Sequence, residues 1–451
     1  MIKEMTHGKP TSLILSFCLP MLLGNLFQQL YSMVDTIIVG KFIDVDALAG
    51  VGSTGSVSFL ILGFTTGITS GSALLPAQCF GGGNYSEMRK YIANAIYLCL
   101  ITTVVVTTLA VAFCYPLLEL MSTPPDIIDA AYDYIIVIFG GICVTMAYNL
   151  MAAILRAMGD SKLPLYFLIL ASVINIGLDL LFIIVFNSGV AGAGWATVIS
   201  QGISAILCFI YIKSHYPILQ FEKSEFKFNG RRILNLARIG VPMGLQFSIT
   251  AVGSVILQSA VNSIDKIAVA AVTAAGKLQN MITAPLDTLG VAMATYAGQN
   301  LGIGNIKRIR KGVNSAALMG VIYSLAALVV IWFFSAPLCL LFVDAGETAV
   351  IDQAVYFIRI NAVFYPMRAL LFVYRNTLQG LSYSLLPMMA GVCELAARVI
   401  IAFFVPTFGF DAACFASPLA WVAAVILLVI VYIVKMKGLK KRTDENGMLK
   451  A

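Results

Sequence analysis

Charge is scarce in this chain: Asp, Glu, Lys and Arg together make up 11% of 451 residues, against 60% hydrophobic. A water-soluble domain carries about 25% charged residues, so that class is excluded. Histidine is limited to His7 and His215, both outside the apolar runs. The nine cysteines are scattered without a C-x-x-C pair, which leaves no His/Cys metal set and no Cys-His nucleophile. No G-x-x-x-x-G-K-[ST] loop is present, so the chain has no ATP site of the P-loop kind. No cleavable signal peptide is expected, because the first apolar run is too long and lacks a small-residue cleavage site. These absences argue against an enzyme and against any cofactor.

What is abundant is apolar length. Twelve runs are long enough to cross about 30 Å of hydrocarbon: 12–38, 51–78, 91–114, 130–154, 163–187, 190–212, 236–262, 267–297, 312–335, 351–378, 385–406 and 413–434. Each is expected to be a helix, since lipid offers no partner to the backbone of an open strand. The expected fold is an all-α polytopic membrane protein.

Basic residues then set the orientation. Lys3 and Lys9, Arg89 and Lys90, Arg156 and Lys162, Lys213 to Arg238, Lys307 to Lys311, and the tail from Lys435 to Arg442 mark one side. The alternate loops hold Lys41 and Lys266 among Asp44, Asp46, Glu119, Asp126, Asp265, Asp344, Glu347 and Asp411. Both termini are expected in the cytoplasm, with the chain in the plasma membrane. The net charge of +7 is this topological bias, and no nucleic-acid partner is expected.

The stretch 213–235 separates two sets of six runs that resemble each other. "AQCFGGGNYSEMRK" from Ala77 aligns with "GQNLGIGNIKRIRK" from Gly298 at an offset of 221, pairing Gln78 with Gln299, Gly83 with Gly304 and Asn84 with Asn305. Six spans per half is an even number, so the repeats are parallel. The expected organisation is an amino-terminal six-helix lobe over 1–212, a cytoplasmic linker over 213–235, a carboxy-terminal six-helix lobe over 236–436 and a cytoplasmic tail over 437–451. Transporters built this way bind substrate between lobes and alternate access. Gly63, Gly67 and Gly71, spaced four apart, form a smooth helix face for a close neighbour.

Four acids lie inside spans: Asp35, Asp179, Asp287 and Glu394. A carboxylate at a helix centre costs about 2.5–3.5 kcal/mol, so each needs a partner or a task. Asn175 and Asp179 share a helical face. Rise along the helix brings them, Asp35 and Thr197 to the outer half of the amino lobe. Two carboxylates, an amide oxygen and a hydroxyl suit Na+, and two close carboxylates also suit a shared proton. No other metal is expected. In the second half the counterparts, at an offset of 223, are Arg398 for Asn175 and Ala402 for Asp179. Glu394 and Arg398 are four apart and are expected to pair, with Lys277 and Arg368 as further partners for Asp287 or Glu394.

In this order, across twelve spans, several motifs resemble the multidrug and toxic compound extrusion (MATE) family. They are Leu19-Pro20 with Val34–Thr36, the two Gly-Asn turns, "LRAMGD" at 155–160, "NIGLDLLFI" at 175–183 and "GAGWAT" at 192–197. The resemblance implies two pseudo-symmetric lobes around a cavity. It also implies an antiporter that exports organic, typically cationic, drugs or metabolites in exchange for inward H+ or Na+. Carried over, the cation site is Asp35, Asn175, Asp179 and Thr197, with Asn149 added. The Na+-coupled branch also uses acids in its seventh and tenth helices; here those helices offer Gln246, Thr250, Asn361 and Arg368. Tyr31, Gln246, Lys277, Met281, Asp287, Arg368 and Glu394 are the candidates for the substrate cavity. The expected partners are a small-molecule substrate and the lipid bilayer, with the protein a monomer. The alternative within the wider fold superfamily is a flippase for a lipid-linked saccharide or another lipid.

Overall fold

Paired end-caps, one in each half of the chain, organise the helices. A computed structural model describes residues 4–121, 123–441 and 448; Lys3, Arg442 and most of the expected tail lie outside them. Asp44 accepts the backbone N–H of Ala47 at 2.6 Å and starts α2 (Val45–Ser53), while Asp265 does the same for Ala268 at 2.6 Å and starts α12 (Lys266–Gly302). Asn84 caps α5 (Tyr85–Ala112) through Glu87, and Asn305 caps α13 (Ile306–Cys339) through Arg308. The preceding Gly83 and Gly304 have φ of 72° and 71°, a conformation costly for residues with a Cβ. The internal repeat is therefore repeated chemistry at helix ends.

The remaining helices are α1 (Pro10–Phe42), α3 (Gly55–Ser72), α4 (Leu74–Gly81), α6 (Cys114–Leu120), α7 (Pro125–Gly140), α8 (Ile142–Ala157), α9 (Lys162–Leu180), α10 (Gly189–His215), α11 (Gly230–Asn262), α14 (Thr348–Val363), α15 (Tyr365–Gly380) and α16 (Leu385–Lys440). No strand occurs among the described residues. Among the described residues, eight stretches are long and apolar enough to cross a membrane. The pairs α7–α8 and α14–α15, each bent by 51°, form two more. Twelve is reached by dividing α16 at Gly409, whose φ and ψ are non-helical, and by including the 37-residue α12.

By packing, the chain divides into two units, one holding Leu19–Ser248 and the other Met5–Cys18 with the chain from Ile249 onward. The change of unit falls inside α1, next to Pro20, and inside α11, after Ser248 and beyond Pro242. In the first unit the glycine face of α3 lies against α11. A Cβ on Gly67 would sit 2.5 Å from Cα of Gly244, and one on Gly71 would sit 2.6 Å from Cα of Gly240. Only the missing side chains let these backbones meet.

The stretch expected as a linker is folded onto this unit. Glu225, 3% exposed, takes two bonds from Arg89 at 2.6 and 2.8 Å. Arg232 holds Glu87 at 2.9 and 3.1 Å, and Asn229 donates its N–H to Asn94 at 2.8 Å. In the second unit, Met5 donates its N–H to Gln299 at 2.7 Å, and its carbonyl accepts from Asn300 and Arg308 at 3.2 Å each.

Candidate coupling site and charged cluster

Asp35 lies on α1, and Asp179 lies one residue before the end of α9, next to a π-helical turn at Leu181–Val185. Both are buried, at 7% and 0% exposure, and Asn175 one turn earlier is 1% exposed. Small residues on α10 permit this crowding. A Cβ on Gly192 would lie 3.1 Å from Phe182, and one on Gly194 would lie 3.0 Å from Val137. Thr197 then comes within 3.4 Å of Asn175 Nδ2. Ile38 and Val39 on α1 and Ile183 beyond α9, close in the chain to the two acids, pack in one apolar cluster with Ala47, Val190 and Ala193.

The two carboxyl groups lie within hydrogen-bonding reach of each other. Neither oxygen of Asp179, nor Oδ1 of Asp35, nor Oδ1 of Asn175 receives a hydrogen bond from a protein donor. Two like-charged carboxylates in hydrocarbon repel and are poorly solvated. A proton shared between them relieves both problems. A cation such as Na+ fits the same oxygens chemically, since hard cations take carboxylate and amide oxygen ligands.

Asn149, half-buried on α8, makes no hydrogen bond to these four residues among the described contacts. Tyr31 lies within electrostatic reach of both acids, as does Tyr134 on α7, which sequence reasoning missed. The signal for Tyr134 was a phenol tip within the apolar run "YIIVIFG", where a buried hydroxyl needs a polar neighbour.

The carboxy-terminal unit is built differently. Arg368 on α15 donates to both oxygens of Asp287 on α12, at 3.2 and 3.3 Å, one of the pairings expected. Glu394, however, bonds Arg375, so the expected Glu394–Arg398 pairing is corrected. Arg375 reaches across from α15, whereas Arg398 donates instead to the Thr250 carbonyl at 3.5 Å. Arg375 was legible as the residue seven after Arg368, on the same helical face. Lys277 lines a separate cavity of about 480 Å³ with Lys266, Thr273 and Glu347. Met281 is exposed, and Gln246 is buried in the first unit.

A family model, MatE, matches residues 20–181 and again residues 242–404, once in each half. The chain belongs to the MATE family. It is 30% identical over 376 residues to a probable multidrug resistance protein, YpnP, of Bacillus subtilis, covering 82% of each chain. A FAD transporter of Shewanella oneidensis is 22% identical over 396 residues, 86% of each. Among solved structures, a MOP superfamily transporter from Pyrococcus furiosus is similar with a TM-score of 0.90, at 21% identity and 97% and 98% coverage. This MATE protein is thus a multi-pass membrane protein of a multidrug efflux transporter family.

Proposed function

We propose that this MATE protein is a secondary antiporter of the plasma membrane, with both termini cytoplasmic. It exports organic small molecules by alternating access in exchange for inward H+. The observation that carries the reading is the buried pair of Asp35 and Asp179, within hydrogen-bonding reach of each other, with Oδ1 of Asp35 and both oxygens of Asp179 satisfied by no protein donor. Protonation from outside neutralises the pair and favours one arrangement of the helices; release to the cytoplasm restores the repulsion and favours the other. A ligand shifts such an equilibrium only through a difference in affinity between the two states, and burial of the pair supplies that difference. Na+ is the second reading, favoured by the amide oxygen of Asn175 beside the carboxylates.

Cationic cargo is what the resemblance implies, and Asp287 and Glu394 would attract it if they were unpaired. Both acids are engaged by arginines, which weakens that expectation. Dye transport in proteoliposomes tests the proposal, with pH and Na+ gradients imposed separately on wild type and Asp35→Asn. Transport driven by the pH gradient and lost in the variant is the expected result. Transport that survives Asp35→Asn unchanged sinks the assignment of the coupling site.

A further inference from the structure

The carboxy-terminal unit buries more positive than negative charge in one place. Arg368 and Arg375 lie within Coulombic reach of Asp287, and Glu394, Arg368 and Arg375 lie within Coulombic reach of Arg398. Three guanidiniums against two carboxylates leave a net charge of +1 in this group. Arg375 and Arg398 are 5% and 7% exposed. All three arginines keep a buried Nε without a hydrogen-bond partner. Arg398 is the freest of them, with one long bond to a carbonyl at 3.5 Å and neither of the bonded carboxylates. Gly253 leaves space beside it: a Cβ there would lie 3.0 Å from Nη1 and 3.3 Å from Cδ of Arg398.

A buried guanidinium that no carboxylate hydrogen-bonds is poorly compensated for its lost hydration. A protein that retains one gains by supplying an anion to it. The cluster also has an open edge, since the side chains of Asp287 and Arg368 are 39% and 14% exposed. At that edge Phe372 and Trp421 lie over the Arg368 guanidinium, both at 5.5 Å. Their rings orient the guanidinium plane; Trp421 is buried behind it, and the half-buried Phe372 is the ring an organic molecule would meet.

We infer that this cluster binds the anionic group, a carboxylate or phosphate, of an organic cargo. Arg398 is its free arm and Asp287 stands at its mouth. Guanidinium forks match such oxyanions in geometry as well as charge. This inference deepens the antiporter reading and rests on it.

The test is fluorescence anisotropy on the purified full-length protein in detergent, with carboxyfluorescein as the anionic probe and ethidium as the cationic one. Wild type should bind carboxyfluorescein the more tightly. Arg398→Gln should weaken that binding about tenfold, equivalent to about 1.4 kcal/mol, without weakening ethidium. Gly253→Ala keeps every charge but crowds the guanidinium, so it should weaken carboxyfluorescein in the same direction. Arg398→Lys should recover part of the loss.

Equal carboxyfluorescein affinity in wild type and in an Arg398→Gln protein with an intact thermal transition overturns the inference. So does a preference for ethidium. In nanodiscs, displacement of the probe by phosphatidylglycerol, together with no carboxyfluorescein transport in proteoliposomes, makes a lipid headgroup the occupant and overturns the cargo assignment. Binding in detergent needs no gradient, so the two readings fail separately. No anion preference sinks this inference alone, whereas intact anion binding without gradient-driven transport sinks the antiport reading.

Discussion

The two halves share a scaffold and oppose each other in charge. Asp44 and Asp265, and Asn84 and Asn305, cap matching helices at an offset of 221, and both halves contain a helix pair bent by 51°. Yet where the first half buries Asn175 and Asp179, the second has Arg398 and Ala402. A duplicated framework keeps the groups that end helices, because every helix needs them. It is free to change the groups inside, where the surroundings of each half decide what an ion or cargo meets. Within the spans, the two acids of the first half, Asp35 and Asp179, have no base bonded to them; in the second half Asp287 and Glu394 each bond an arginine, and Arg398 is left over.

That contrast is sharpest in mutants of opposite sign. Asp179→Asn removes one of two like charges, so it should abolish gradient-driven efflux in proteoliposomes while leaving the thermal transition unchanged or raised. Glu394→Gln strands the buried Arg375 guanidinium. It should cost on the order of 3 kcal/mol of stability, measured as a lower midpoint of thermal unfolding in detergent. If Asp179→Asn destabilised the protein as much as Glu394→Gln does, the acids would be structural partners in both halves and the contrast would collapse.

Packing also differs from glycine to glycine, with a smaller expected effect. Gly67→Ala puts a methyl against the backbone of Gly244 and should cost about 1–3 kcal/mol. Gly276→Ala on α12 meets nothing within 4 Å and should be neutral or raise stability by about 0.5–1 kcal/mol. A thermal-shift comparison of the two variants checks this directly.

The smallest effect lies in the folded loop of the first half. The hydrogen-bonded Arg89 guanidinium holds the Glu225 carboxyl down at about 2, against an ordinary value of 4.5. Folding stability from this depressed carboxyl is complete above the ordinary value. It is lost as pH falls from there through about 2. Stability measured from pH 6 to pH 2 should therefore fall less steeply for Glu225→Gln than for wild type. Parallel curves would place the acid sensitivity elsewhere.

Much of the fold was legible in the sequence, because membrane insertion rewards length and apolarity that one segment carries alone. The turns at Gly83-Asn84 and Gly304-Asn305 were legible for a similar reason: a positive φ and a cap are decided within a few residues. Asp35 and Asp179 stood out because a charge in hydrocarbon is improbable without a use. Tyr134 did not, since a tyrosine in an apolar run is common and only its neighbours give it meaning. The pairing of Glu394 was misread because spacing on one helix says nothing about an arginine arriving from the next. The folding of 216–229 onto Arg89 and Asn94 was hidden by its composition, which is that of a solvated linker until Glu225 finds Arg89.

By itself, then, the sequence determined the number of spans, the internal repeat and the identity of the acids within the spans, each set by interactions short in chain distance or by solvent alone. Tertiary structure alone decided which arginine meets which acid, which residues crowd the carboxyl pair, and that α1 and α11 each divide between two units. Those outcomes depend on contacts between segments far apart in the chain, where a few ångströms choose among partners that the sequence presents as equivalent.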